Sequence, residues 1–570
     1  MNKGMIYHRP LSEDAHAIDL DTIVIRLKTA KDDIASVKLM YGDTAFQGNP
    51  VLFTELEMKK IACDNFADYY EARIINGFER IVYYFDIYGV DGTHVYYYAD
   101  IFTSVMTNER NDLFKFPFNR REDIIYIPEW FKKATIYNVF LDSYSFDKDT
   151  KPVVINKDNY QIKNKNGGTI NGLLNKLDHI QSMGFNTVYL NPIFCAGEYH
   201  KYDTIDYMKI DPLFGTNEEF KKLVDEIHNR KMHIIIDGVF NHSGWYFKPF
   251  DDVIEKQEKS KYKDWFYNLK FPIHRPKKGE EPRYATFGYE RLMPKLNTSN
   301  PEVVSYFMEV CRFWMEEFKI DGWRLDVADE VNLDFWRAFK KETKRINPNA
   351  VLIGEVWQNA QYFLDGSMFD SVMNYDLLKH AKAFFAKREI DANEFNARIT
   401  KMLLRYRTMY TYGQMNLLDS HDVPRFFSVV NENTEVFKLA IIFLMTFIGV
   451  PSVFYGDEEG LTGIIEDDYR RKPLAKNDEL REFYTKIINL RNENEVLTSG
   501  KFKAVLHDED TYIYQYIRYN SYKMIGIVLN NSQQEYVIGD IKEAEIIMSN
   551  KYSGGKLGSF GYIIYVRIDF

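Results

Sequence analysis

Cysteine is nearly absent, at three in 570 residues. Cys63, Cys195 and Cys311 are odd in number and far apart, which excludes a disulfide framework and any zinc-ligand spacing and fits a reducing compartment. Histidine is also sparse, and none of the 12 sits in the close pair on one strand that metal-dependent barrel hydrolases use, which argues against a catalytic metal. Positive charge is not in excess: the net charge of −10 argues against nucleic acid and anionic membranes as main partners. Long apolar runs are missing too. The longest, residues 439–455, is broken by Gly449, Pro451 and Ser452 and reads as a buried helix followed by a strand, not a membrane span. Residues 1–20 carry Glu13, Asp14 and Asp19 and no apolar signal core, so the cytoplasm is the expected location. Internal repeats and low-complexity stretches are absent as well.

Aromatics, by contrast, are plentiful: Phe, Tyr and Trp make up 16% of the chain. Aromatic faces bind sugars, but they also fill cores, and most are read here as core. A chain of this length is expected to form two to four domains.

Residues 1–123 read as all-β. The runs 23–27, 81–88 and 94–98 are β-rich, and Asp91-Gly92 supplies a hairpin turn between the last two. A β-sandwich is the natural outcome. From about residue 134 strands and helices alternate, with strands at 136–141, 187–190 and 233–237 and helical stripes between them. Residues 243–297 break the pattern, and are expected to form a small subdomain inserted after the third strand. Alternation then resumes, with strands ending at Asp326 and Glu355 and others near 372–374, 415–418 and 452–455. Eight alternations predict an α/β fold, a closed (β/α)8 TIM barrel over residues 124–496. Beyond residue 497 the runs 511–517 and 524–529 predict a C-terminal antiparallel β domain over 497–570.

The chemistry concentrates at strand ends. Gly322-Trp323-Arg324-Leu325-Asp326 and Gly354-Glu355-Val356-Trp357 are short apolar strands, each ending on one carboxylate. The amphipathic stretch between them, 334–344, carries Phe335, Trp336 and Phe339 at helical spacing. Catalytic groups of parallel barrels stand at the carboxyl ends of strands. An Asp and a Glu facing across such a mouth are the minimum equipment for cleaving a glycosidic bond. Residues two apart on a strand share a face, so Arg324 lies beside Asp326 and is expected to hold it ionised. Glu355 has no cation two residues away and apolar neighbours, so burial is expected to raise its pKa, as suits a general acid. Asp422, after His421, adds a third acid at the end of the seventh strand. Asp237, Asn241 and His242 close the third strand, where the first two serve equally well as loop-satisfying groups.

These segments, in this order, resemble the conserved regions of the α-amylase family (glycoside hydrolase family 13). Asp237 to His242 is similar to the first region and 322–330 to the second. Glu355 with its neighbours is similar to the third, and 418–422 to the fourth. Met293-Pro294-Lys295-Leu296-Asn297 resembles the fifth region of the neopullulanase, cyclomaltodextrinase and maltogenic amylase subfamily, and is the most specific signal in the chain. The front domain resembles a starch-binding-type module.

The resemblance implies a retaining α-glucan hydrolase acting on cyclomaltodextrins, maltooligosaccharides, pullulan or starch, with transglycosylation as a side reaction. It makes Asp326 the nucleophile, Glu355 the acid/base and Asp422 the transition-state stabiliser. Substrate contacts would come from His200, Tyr202, Asp237, Asn241, His242, Arg324, Asp329, Glu330, Trp357, His421 and Arg425. Tyr202 would stack beneath the sugar being cleaved, and Trp357 would form an acceptor-side platform. Ala328-Asp329-Glu330 departs from the subfamily's Ala-Asn-Glu and puts an extra carboxylate on that side. No cofactor is required. A structural calcium would have Asp147, Asp149 and Gly168 as its candidate positions, but Lys148 and Thr169 stand where acids are usual. A homodimer formed through the front domain is implied as well. Rival readings are an α-glucosidase or debranching enzyme of the same family, and a non-catalytic glucan-binding scaffold.

Overall fold

The computed structural model describes the chain apart from residues 76, 146–152, 155–160, 471–476, 540, 542 and 569–570, and apart from the side chains of 153, 154 and 467. It divides into two compact units. One comprises Met1–Tyr126, Arg388–Tyr412 and Ala504–Tyr514; the other comprises Ile127–Lys387, Gly413–Lys503 and Gln515–Phe570.

The first unit contains a four-stranded and a six-stranded antiparallel sheet. Alternation along Ile81–Gly89 buries Tyr83, Phe85 and Ile87 completely, while Tyr88 on the opposite face is 40% exposed. The expected hairpin is present: Ile81–Gly89 pairs with His94–Tyr98, and Gly92 takes the positive φ of 78° that the turn requires. Residues 388–412, expected to belong wholly to the barrel, gather instead with this unit. The cause is polar. Buried Arg26 pairs with Glu71 at 3.0 Å and also donates to the Thr408 hydroxyl at 2.8 Å. His16 accepts the Thr408 N–H at 3.1 Å.

The second unit holds the barrel. Its strands are β1 (Ile136–Val139), β2 (Thr187–Leu190), β3 (His233–Gly238), β4 (Gly322–Leu325), β5 (Val351–Gly354), β6 (Ser371–Asn374), β7 (Met415–Leu417) and β8 (Val450–Phe454). They pair in chain order, all parallel, and β8 closes on β1. Both faces of these strands are covered, so their residues are buried without alternation. The helix Leu333–Ile346 begins where the Asn332 side chain accepts the Asp334 and Phe335 N–H groups. It buries Phe335, Trp336 and Phe339 against the barrel, with Phe240 centred 5.3 Å from Phe339. Each such ring contributes about 1.5–3 kcal/mol on burial.

The insertion after β3 contains the helix Lys248–Lys256 and a hairpin of Thr286–Phe287 with Glu290–Pro294. Its end returns to the barrel along Asn241 and Ser243, with Leu296 N–H donating to the Asn241 carbonyl at 3.0 Å and Ser243 N–H to that of Pro294 at 3.1 Å. The last segment forms a six-stranded sheet in which Lys556–Ile568 pairs antiparallel with Lys523–Asn530.

Candidate active site

Register sets the height of the two central acids. β4 and β5 pair Leu325 with Gly354, so Asp326 and Glu355 follow side by side, one residue beyond the paired ends. The backbone continues the clasp: Glu355 N–H donates to the Leu325 carbonyl at 2.9 Å, and Ala328 N–H to that of Glu355 at 3.1 Å. Asp326 N–H donates to the Gly238 carbonyl on the other side at 3.0 Å. Gly354 is required here because a Cβ would stand 2.7 Å from the Phe369 ring.

One guanidinium organises the site. Arg324, fully buried, donates through Nη1 to both oxygens of Asp237 at 3.0 Å and to Asp326 Oδ1 at 2.7 Å. Its Nη2 stands 2.8 Å from Glu355 Oε2 and 3.9 Å from Asp422 Oδ2. The structure thus differs from the expectation that no cation attends Glu355. Arg324 reaches it across the strands, which spacing along a single strand does not reveal. Asp237 is closed to solvent; it accepts the Tyr189 hydroxyl at 2.9 Å and anchors Arg324 rather than facing the cleft.

His421 is held by Asn191, whose amide donates to Nδ1 at 2.9 Å. That partner assigns the proton to Nε2, which lies 3.0 Å from Asp422 Oδ2 and also meets the Tyr202 hydroxyl. The Tyr202 and His421 rings are parallel within 9°, with centroids 5.5 Å apart. Tyr202 N–H donates to His200 Nδ1 at 3.1 Å, and its carbonyl lies 3.2 Å from His242 Nε2. His242 is fully buried against Phe287, with both ring nitrogens engaged by protein groups. It therefore supports Tyr202 and is not presented to a sugar as expected.

Burial keeps the imidazoles neutral. It pulls His200 down to about 4 and His242 to about 3, and His421 well below its ordinary value. The carboxylates go the other way. Burial raises Asp237 to about 6 and Asp422 to about 7, with Glu355 adding like charge in both cases. Asp326 also rises well above the ordinary carboxylate range, from burial and the charges of Glu355 and Asp237, against the pull of Arg324. This corrects the expectation that Arg324 holds Asp326 ionised: its pull is present, but burial and like charge outweigh it. Asp237, Asp326, Glu355 and Asp422 share Arg324; a second guanidinium, Arg470, stands 3.4 Å from Asp422 and also pairs with Glu466 and donates to the His421 carbonyl. Asp237, Asp326 and Asp422 are thereby pushed toward holding protons near neutrality.

The remaining candidates separate into rim and interior. Asp329 and Glu330 are exposed in a short turn, and Lys295 pairs with Glu330 at 2.7 Å while also donating to Asn241 Oδ1. Asn241 is thereby committed to Lys295. Trp357 is 40% exposed and lies flat on Tyr375, with centroids 3.8 Å apart. Arg425 is not at the site. It is fully buried, pairs with Asp457 at 2.9 Å and donates to the Tyr469 carbonyl at 3.0 Å, so it fastens the loops behind Asp422. Tyr189, Asn191, Tyr375 and Arg470 also stand at the site and were not among the expected residues, while Lys295 and Val327 were expected only as parts of their segments. Tyr189 and Asn191 had a usable signal, being two apart at the end of β2. Arg470, 48 residues after Asp422, had none.

Of the calcium positions, Asp147 and Asp149 lie outside the described residues. A Cβ at Gly168 would stand 1.7 Å from the Leu141 carbonyl oxygen, and Gly168 N–H donates to the Asp142 carbonyl at 2.7 Å. The Asp142 carboxylate accepts N–H groups of Lys165 and Asn166, and the Thr169 hydroxyl accepts that of Gly172. Among the described residues these oxygens serve the protein's own donors. His179, Glu458 and Glu459 bring ligand atoms within 4.8 Å of one another, but Arg481 already donates to both Glu459 oxygens.

Residues 128–486 match the family model for the α-amylase catalytic domain, and residues 1–120 that for the α-amylase N-terminal Ig-like domain. A maltogenic α-amylase of Bacillus acidopullulyticus is 37% identical over 94% of this chain and 92% of its own length. Neopullulanase 2 of Thermoactinomyces vulgaris is 36% identical over the same shares. A solved cyclomaltodextrinase superposes with a TM-score of 0.91 at 32% identity, covering 99% of this chain and 100% of that one. With its strand-end acids clustered on one arginine, the chain belongs to the α-amylase family of glycoside hydrolases, in the group that holds the maltogenic amylases, neopullulanases and cyclomaltodextrinases.

Proposed function

We propose that the protein is a retaining hydrolase of α-1,4-glucans, with cyclomaltodextrins, short maltooligosaccharides and pullulan as its substrates. The observation that carries this reading is the placement of Asp326 and Glu355 at paired strand ends on the two terminal nitrogens of one guanidinium. Asp326 Oδ1 is tied to Arg324 while, among the described residues, none hydrogen-bonds to Oδ2, so Oδ2 is the attacking oxygen. It bonds to the anomeric carbon as the C1–O bond breaks, and Glu355 gives its proton to the departing oxygen. Glu355 then takes a proton from water, whose oxygen displaces Asp326 with net retention. A sugar hydroxyl in place of that water gives transfer. Asp422 and His421 steady the sugar ring in this scheme, and Tyr202 lies beneath it.

Product analysis after separate incubation with β-cyclodextrin, pullulan, starch and maltotriose tests the substrate range. Ring opening of β-cyclodextrin to maltose and small oligosaccharides, released as α-anomers, is the expected result. Glucose released only from chain ends would make the enzyme an α-glucosidase, and cleavage confined to branch points a debranching enzyme.

A second copy of the chain is the proposed partner of the front unit. That unit exposes Leu52, Phe66, Ile75, Val90 and Val105, each more than 60% accessible, and these apolar side chains are open to a second copy. Sedimentation at micromolar concentration should give twice the 67.5 kDa chain mass; a single-chain mass would remove the dimer. Three free cysteines, and the intracellular maltogenic amylases of Bacillus subtilis among its relatives, support a cytoplasmic location.

A further inference from the structure

A chain of buried polar groups runs behind His421. Asn138 on β1, Tyr189 on β2, Asn191 just after β2 and His421 after β7 are all closed to solvent. The chain begins at a group that can only accept, the Tyr189 carbonyl. The Asn138 amide lies 3.3 Å from that oxygen, so its NH2 must face this way, and it also donates to Asn191 Oδ1 at 3.1 Å. The Asn191 amide is oriented in turn. Its NH2 donates to the Tyr189 hydroxyl at 3.2 Å and to His421 Nδ1 at 2.9 Å. The far end accepts only, too. The Tyr189 and Tyr202 hydroxyls donate to Asp237 Oδ2 at 2.9 and 3.4 Å, which leaves the Tyr202 oxygen to accept from His421 Nε2. One polarity satisfies every link. Reversing it would turn both amides over and set the Asn138 oxygen against the Tyr189 carbonyl.

We propose that Asn138 and Asn191 are positioning residues that hold His421 as the Nε2–H tautomer and so aim its one ring proton at the sugar. The inference rests on the reading of His421 as a group that steadies the sugar ring during cleavage. Burial keeps the imidazole neutral, so one ring nitrogen is bare, and the hydrogen bond made by the other decides which. Nε2 is the nitrogen on the side of the acids: it lies 3.0 Å from Asp422 Oδ2 and meets the Tyr202 hydroxyl. With the proton there, His421 donates to a sugar hydroxyl. With the proton on Nδ1, a bare Nε2 would set its lone pair against the Asp422 carboxylate and give the sugar no donor. Asn191 acts through the imidazole, and Asn138 acts through Asn191.

Ring nitrogen-15 spectra of histidine-labelled protein test this, with His421→Gln identifying the signals. Protonated and bare ring nitrogens differ widely in shift, and couplings to the ring C–H protons tell Nδ1 from Nε2. The wild-type protein should show a bare Nδ1 and a protonated Nε2; a protonated Nδ1 would overturn the inference. Asn191→Leu keeps the volume and removes the donor. It should admit the Nδ1–H form beside the other and lower kcat/KM on β-cyclodextrin by about 5- to 10-fold, the scale of one lost hydrogen bond. A spectrum of the Nε2–H form alone would assign the proton's place to Asp422 and overturn the inference whatever the rate, since lost packing lowers activity without moving a proton. Mixed tautomers at wild-type kcat/KM would overturn it as well. Should that variant fail to fold, Asn138→Leu frees the Asn191 amide to turn over and should also admit the Nδ1–H form; its absence there counts equally against the inference. A protein inert on every α-glucan would instead sink the reading of His421 itself and leave the tautomer result standing, so the two failures are separable.

Discussion

Asp326→Asn lowers kcat on β-cyclodextrin by about 10⁴-fold or more, the scale seen when a nucleophile is removed and only binding and electrostatic groups remain. The exchange is nearly isosteric, and an amide can still accept from Arg324 Nη1 at the place of Oδ1. Chemistry is lost while the fold is kept. The variant should melt no lower than wild type, because it removes one of several carboxylates crowded around a single guanidinium. Stopped-flow rates with melting curves on the same samples check both parts. Turnover within tenfold of wild type would remove Asp326 from the role of nucleophile.

Glu355→Gln gives the second large effect, about 10²- to 10⁴-fold in kcat on unactivated glucans, the usual worth of a positioned acid/base. The loss should depend on the leaving group. With α-maltosyl fluoride the leaving ion needs no proton, so the first step should run near its wild-type rate and the glycosyl-enzyme should accumulate. Azide, which attacks without general-base help, should then restore turnover and yield the α-configured azide. Equal losses on fluoride and on maltotriose would assign Glu355 a binding role only.

Much of the architecture was legible because it follows from short-range pattern. Runs such as 187–190 and 233–237 could be read as buried parallel strands, since alternation with amphipathic helices leaves few other solutions. The strand-end acids were legible for the same reason. Asp326 and Glu355 follow their strands directly, and in a parallel barrel that position faces the mouth. Arg425 shows the limit of this reasoning. Three residues from Asp422 it shared the look of a site residue, yet its guanidinium turns inward to Asp457 and lies over the Phe454 ring. Residues 388–412 show it at a larger scale. Their place in the chain put them within the barrel's span, but long-range polar contacts to Arg26 and His16 tie them to the other unit.

The residue order thus settled which central acids the site would contain and on which strand ends they would stand, because periods of 2 and 3.6 are properties of the local backbone. The state of those groups was decided in three dimensions. Arg324 reaches Glu355 from the neighbouring strand, burial and like charge outweigh its pull on Asp326, and the left-handed turn at Val327 aims an N–H at one oxygen of Glu355. Electrostatic energy depends on distance and on the water excluded around each charge, and both are fixed only when distant strands close into one barrel.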